Sequence, residues 1–568
     1  MHDLVIRGGR IVDGSGGTPF LGDLAVTGDR IAAVGGKIGP GKREIRADGL
    51  LVAPGWVDIH THYDGQAIWD PMLSPSSWHG VTTVVMGNCG VGFAPCNPGD
   101  RQGLIDLMEG VEDIPGFVLA EGLPWNWQTF PEFLDVLEGV PRALDVGAQI
   151  PHHALRVYVM GERALRHEAA TPADIDRMRR ITEEALRAGA FGFTTSRTRN
   201  HRTVAGDIAP GYYAQPEELL GIGTALKTVG RGAFGMLNEF ADEEAEFAWM
   251  RALGRDIGRP IWFMMSNLLD NPGRWARLMG KVRAANDDGI AMAVQIPCRP
   301  IGMICGLTSS IHPFQCKPTF LDLVKRDSAS RLARLRDPAI RAAIIGEESD
   351  PAAVEKLAPI LRAVLTNWNG LYVLTDPPDY ETPPGRSMAG IAAREGRSPA
   401  EVCYDFLLGN NGRNMAYFPL SAGNEFVHNG VSEAGTIPGG GDGGAHCGVI
   451  CDASMVSFMI AHWGRDTPHG APYPIEWLVR RQTAETAAFH GFTDRGLLKP
   501  GMRADINLID FDRLRLHLPE AVLDLPAGGR RLVQRVDGYV MTMVAGQTIL
   551  ENGQATGALP GKLVRAGR

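Results

Sequence analysis

The chain reads as an α/β protein, a (β/α)₈ barrel carrying a small β-sandwich domain assembled from both termini. Three observations predict this. The two ends alternate short β-rich runs with tight turns, the middle alternates strand-like with helical runs, and the first central strand ends in two histidines two residues apart.

Taken in order, Leu4–Ile6, Ile11–Val12, Leu24–Val26 and Ile31–Val34 are separated by Gly8-Gly9 and Gly28-Asp29, the grammar of hairpins. Residues 504–509, 539–544 and 548–550 repeat that grammar at the far end, so 1–52 and 500–568 are expected to form one sandwich. Candidate barrel strands between them are Val52–His60, Thr82–Met86, Asp145–Ile150, Phe191–Thr195, Ala233–Leu237, Ile261–Met265, Ala291–Ile296 and Ile437–Asp442. The clearest helix is Pro172–Ala188. Thr171 suits its N-cap, Pro172 its first position and Gly189 its C-terminal stop. Roughly 140 residues between the last two strands exceed what a barrel of ~250 residues needs. An insertion is therefore expected around 300–435, with helical stretches at Leu321–Asp337 and from Ser398-Pro399, and a proline-rich loop at Asp376–Pro384. Its natural place is over the mouth of a barrel spanning 53–499.

Composition narrows the function. The net charge of −9 is spread without a basic run, which argues against nucleic acid or an anionic membrane as partner and for a small molecule. No apolar run reaches the ~20 residues of a membrane span, and the N-terminus lacks the pattern of a signal peptide, so the cytoplasm is the expected location. The eight cysteines follow no disulfide or zinc-finger spacing and read as reduced core residues, the pair Cys447 and Cys451 included. Homo-oligomerisation stays open.

Along a strand, residues i and i+2 share a face, so His60 and His62 in Pro54-Gly55-Trp56-Val57-Asp58-Ile59-His60-Thr61-His62 aim into one space, as chelation of a single ion requires. Asp442 sits in the flexible Gly439–Gly444 tract, from which a carboxylate reaches the same point; a plain glycine turn is the competing reading. On the loop after the fourth strand, Arg197, Arg199 and His201, with Tyr212 following, are candidates to hold a substrate carboxylate, against a solvated loop as the simpler account. Trp125 and Trp127 read as core packing rather than a lid. His446, His462 and His490 read as structural.

The Pro-Gly-x-Val-Asp-x-His-x-His motif resembles the amidohydrolase superfamily, as does Gly496-Leu497-Leu498-Lys499-Pro500-Gly501-Met502-Arg503-Ala504-Asp505 near the far end. Gly80–Gly90, together with His152-His153-Ala154-Leu155-Arg156 followed by Met160-Gly161, is similar to the N-acyl-D-amino-acid deacylases (D-aminoacylases). The resemblance spans nearly the whole chain. It implies a distorted barrel, one or two divalent ions, zinc foremost, held by His60, His62, Cys89 and Asp442, and hydrolysis of an amide C–N bond other than a peptide bond. Asp442 is then also the general base. Departures accompany it. Such enzymes supply two more histidines from the fifth and sixth strands, whereas Gly235-Met236-Leu237-Asn238-Glu239 and Met265-Ser266-Asn267-Leu268 contain none. His152 or Glu239 are the substitute donors, and one ion, a rearranged site or no ion are the alternatives. The expected substrate is an N-acyl-D-amino acid. The rivals are a cyclic amide, an imide or a lactone, or a metal-poor non-catalytic binding protein on the same scaffold.

Overall fold

The computed structural model describes residues 1–265, 272–420 and 423–567; the Asn267 stretch lies outside the described residues. Both chain ends build one nine-stranded sheet. His2–Ile11 pairs with Phe20–Thr27, which turns at Gly28-Asp29 into Arg30–Val34. On its other side His2–Ile11 meets Leu51–Pro54, which pairs antiparallel with Ile506–Ile509 from the far end (Leu51 opposite Ile509), followed by Tyr539–Val544 and Gln547–Glu551. The turn at Ala545-Gly546 has positive φ at both central residues, the form that matches hairpin twist. Alternate side chains (Leu4, Ile6, Leu24, Val26, Ile506, Leu508) fill one buried layer.

The parallel strands follow in chain order. Trp56–Asp58, Val81–Met86 and Asp145–Ala148 form one run. Ile150–Pro151, Gly192–Arg197, Ala233–Asn238, Ile261–Met265, Met292–Ile296 and Thr436–Pro438 form the other. A parallel bridge between Thr61 and Gly443 links the last position back to the first. All six residues of Val81–Met86 are buried, as expected of a strand covered on both faces. The helix Pro172–Ala188 has the expected ends: Thr171 and Asp174 form a reciprocal capping box and Gly189 stops it.

Three strands differ from expectation, among them the run over 145–150, which is split between two sheets as Asp145–Ala148 and Ile150–Pro151. The run over 52–60 is two strands belonging to different sheets. At Gly55 the chain passes so close to Thr82 that a Cβ would lie 2.2 Å from its side chain, and the Gly55 N–H donates to the Asp505 carbonyl. The eighth strand ends at Pro438, because the glycine tract after it leaves the sheet.

The insertion after Met292–Ile296 has its own antiparallel sheet (Gly302–Cys305, Tyr372–Val373, Ala416–Pro419) and a core around Phe314, Tyr404, Leu407 and Phe418. The expected helix over 321–337 is broken: Asp327 caps a new helix, Ser328–Leu335. Where the terminal sheet meets the parallel strands, buried Asp145 accepts from Arg495 and Arg503 at 2.8–3.0 Å and from the Lys562 N–H. All eight cysteines are free and buried, and no described helix is long and apolar enough to cross a membrane.

Candidate active site

His60 and His62 lie just past Trp56–Asp58, where hydrogen bonds lace the backbone to the glycine tract: Asp442 N–H to the His60 carbonyl, His62 N–H to the Gly443 carbonyl. This lacing brings the Asp442 carboxylate onto both rings. Its Oδ1 is 3.4 Å from His60 Nε2 and 3.7 Å from His62 Nε2. Cys89 Sγ lies 3.4 Å from the same His60 Nε2, and the donor atoms of His60, His62 and Cys89 fall within 4.8 Å of one another. Gln295, from the seventh strand, sets the tautomer. Its Oε1 accepts from His60 Nδ1 at 2.5 Å, which leaves the Nε2 lone pair facing Cys89 and Asp442.

Burial governs the charge state. It pushes His60 down to about 4 and His62 well below its ordinary value, raises Cys89 well above the ordinary thiol, and lifts Asp442 to about 7. Asp58, likewise near 7, accepts the His60 N–H on Oδ1, and its Oδ2 has no partner among the described residues. Gly441 permits that approach, since a Cβ there would lie 2.6 Å from this oxygen. Neutral imidazoles with free lone pairs, beside a thiol and carboxyls starved of cations, form a donor set that fits a divalent ion. Cys89, Asp442 and His446 all hold positive φ, which costs non-glycine residues of order 1–3 kcal/mol each and collects at functional sites.

Two further residues close around this point without any motif to announce them. Glu112, at the end of the helix Arg101–Glu112, is buried with its Oε1 3.3 Å from His62 Nδ1 and its Oε2 3.5 Å from His446 Nε2; no group donates a hydrogen bond to Oε2. Burial, then the nearby Asp442 and Asp64, raise its carboxyl well above the usual range. His446, read as structural from sequence, also lies 4.0 Å from Asp442 Oδ2 and lines the cavity.

The other sequence candidates lie elsewhere. Both ring nitrogens of His152 are engaged, Nδ1 with Thr195 and Nε2 with Glu218, so it faces away from the cluster. Glu239 accepts from Arg199 and Tyr212 outside the cavity lining. Arg197 grips Glu246 with two nitrogens and the Ala214 carbonyl with a third. Of that loop, Asn200 and His201 line the cavity, His201 Nδ1 bonding Ser196 at 2.9 Å. The fifth strand supplies no donor: a Cβ on Gly235 would lie 2.1 Å from the Trp262 indole, which packs edge-on to His60. Trp127 is core, its N–H on the Phe93 carbonyl, with Trp125 stacked on it.

Known proteins resemble the chain in sequence and fold. The chain is 26% identical to a D-aminoacylase of Alcaligenes xylosoxydans xylosoxydans over 99% of this chain and 97% of that one. It is 39% identical to an N-acyl-D-aspartate deacylase of the same organism over 34% and 36% of the two chains. A zinc- and phosphonate-bound N-acyl-D-glutamate deacylase from Bordetella bronchiseptica superposes over both full chains with a TM-score of 0.65 at 23% identity, a likeness of fold. Residues 43–550 match the amidohydrolase family, and the chain belongs to it: a D-aminoacylase-like amidohydrolase acting on carbon–nitrogen bonds other than peptide bonds.

Proposed function

We propose that the chain hydrolyses an amide C–N bond at a zinc centre held by His60, His62, Cys89 and Asp442, at the mouth of a (β/α)₈ barrel formed by the eight parallel positions, with residues 1–52 and 500–568 as the flanking β-sandwich domain. The observation that carries this reading is the convergence of those four side chains on the floor of one buried cavity.

A divalent ion held there supplies polarisation of the scissile carbonyl and acidification of a water. The protein does the rest. Asp442, as carboxylate, takes the proton of the attacking water on Oδ2 and returns it to the leaving nitrogen. His446, 4.0 Å from that oxygen, and Glu112 behind it keep a polar path beside the proton's route. Gln295 and Trp262 hold the His60 ring in place. The insertion keeps water out by lending Met303 and Leu361 to the cavity wall.

The relatives' names point to N-acyl-D-amino acids as the leading substrate class. One observation favours the second reading, a cyclic amide, imide or other substrate without a carboxylate: Arg197 and Arg199, the expected carboxylate grip, are committed to Glu246 and Glu239. Asp442→Asn tests the mechanism. Removing a general base is expected to lower kcat by ~10²–10⁴ in variant protein that elemental analysis shows to be metal-loaded; near-full turnover in that metal-loaded variant would remove Asp442 from the role.

A further inference from the structure

The cavity above His60 and Asp442 encloses about 440 Å³, within the ~300–1,000 Å³ of small-molecule pockets. Its floor is polar and its walls are mostly apolar. Leu237 and Met264 stand at the ends of parallel strands, Trp275 on the helix Pro272–Asp287, and Met303, Leu361 and Leu420 come from the insertion. The carboxyl groups on the lining are Glu109, Glu112, Asp113 and Asp442. Among the described lining residues there is no lysine or arginine, and residues 266–271 and 421–422 contain neither. The arginines on the loop that carries the cavity-lining Asn200 and His201 are outside the lining and engaged elsewhere: Arg197 pairs with Glu246, Arg199 with Glu239, and Arg202 donates to the Arg199 and Gly206 carbonyls.

A carboxylate entering this space gives up its hydration beside four carboxyl groups and faces no cationic side chain, which is unfavourable on both counts. An apolar group gains with every methylene that leaves water. We propose that the substrate is a neutral amide bearing a long or bulky apolar group, an N-acyl amine in place of an N-acyl amino acid, with the apolar group against Met303, Leu361 and Leu420. This rests on the amide-hydrolase reading and selects its substrate class.

The test compares each N-acyl-D-amino acid with the N-acyl amine that lacks only its carboxylate, over acyl groups from acetyl to decanoyl, using the metal-loaded full chain. Expected is a kcat/KM at least about tenfold higher for the amines, rising about fourfold per added methylene until the cavity is full. A preference for the acids, or a rate flat in chain length, overturns the proposal. Calorimetric binding of the matching uncleavable ketones separates it from the hydrolase reading. If no amide is cleaved, the hydrolase reading falls, and tighter binding of the carboxylate-free ketones still upholds the cavity preference, whereas tighter binding of the acids defeats it. Leu361→Arg, on the insertion and away from the donor cluster, is expected to move the acid-to-amine ratio at least about tenfold towards the acids; an unchanged ratio in a folded variant overturns the placement of the apolar group.

Discussion

Asp442 is expected to be a burden on the fold until a cation meets it, and replacing it should stabilise the metal-free protein. Burial holds its carboxyl near 7, against 3.8 for the ordinary group. Between those two values the folded chain keeps a proton that the unfolded chain has released, so stability falls as pH rises through that window and is lowest above it. A gap of about 3 at 1.36 kcal/mol per unit amounts to roughly 4 kcal/mol at pH ~8. Asn has the same shape and no charge to bury. Chelator-treated Asp442→Asn should therefore resist urea better than the unaltered protein at pH ~8, by an amount that shrinks to less than half at pH ~5. The neighbouring histidines are held neutral, His60 down to about 4 and His62 well below 6.5, so they stay uncharged in both proteins across most of the pH range compared. Zinc should reverse the order, because only the carboxylate gains a partner, and ligand binding stabilises by RT ln(1 + [L]/Kd). Equal urea midpoints at pH ~8 without metal would refute the account of this carboxyl as buried and unpaired.

The joint change His60→Ala and His62→Ala is expected to reduce zinc from about one per chain to almost none while the circular dichroism spectrum is preserved, and retained zinc would place the ion elsewhere. Gln295→Leu removes the acceptor that fixes the His60 tautomer, so zinc affinity by competitive chelation should fall ~10–100-fold with the protein still folded; unchanged affinity would make that hydrogen bond incidental. Asp145→Ala removes the buried carboxylate that Arg495 and Arg503 share, leaving Arg495 with Asp494 and Arg503 with Asp505. It should destabilise by about 3–5 kcal/mol in urea unfolding with the zinc content of the surviving folded fraction intact.

What the sequence makes legible here follows from local periodicity. His60 and His62 are visible because a strand repeats every two residues, Asp442 because glycines crowd around it, and the sheet shared by the two ends because hairpin turns are written in Gly-Asp and Ala-Gly pairs. Glu112 had no such signal. It ends an amphipathic helix of ordinary composition, and nothing local separates it from Glu109 one turn earlier, which is only half-buried. His446 shares a loop with Asp442, yet a single histidine after a glycine tract says nothing about direction. In the reverse case, His152 looked like a donor, but the Thr195 and Glu218 side chains that occupy its ring come from a strand and a helix 43 and 66 residues away. Gly55 hid a change of sheet because its effect, the contact with Thr82, is long-range.

The fifth strand shows how the missing histidine and the apolar cavity are two sides of one arrangement. Gly235 leaves room that the Trp262 indole fills, and that ring packs edge-on to His60, whose Nδ1 is held by Gln295. Among the described residues the donors on the cavity lie at the first strand end, the turn at Cys89, the helix end at Glu112, the tract from Asp442 to His446 and His201 on the loop after the fourth strand. The other half of the cavity is surrendered to Leu237, Met264 and the insertion. A histidine on the fifth strand would have put a polar donor on the side of the cavity lined by Leu237 and Met264. Metal donors concentrated on one flank and hydrocarbon on the other orient a substrate by its two ends, the polar amide to the floor and the apolar group to the insertion, and no carboxylate clamp is needed to fix its direction.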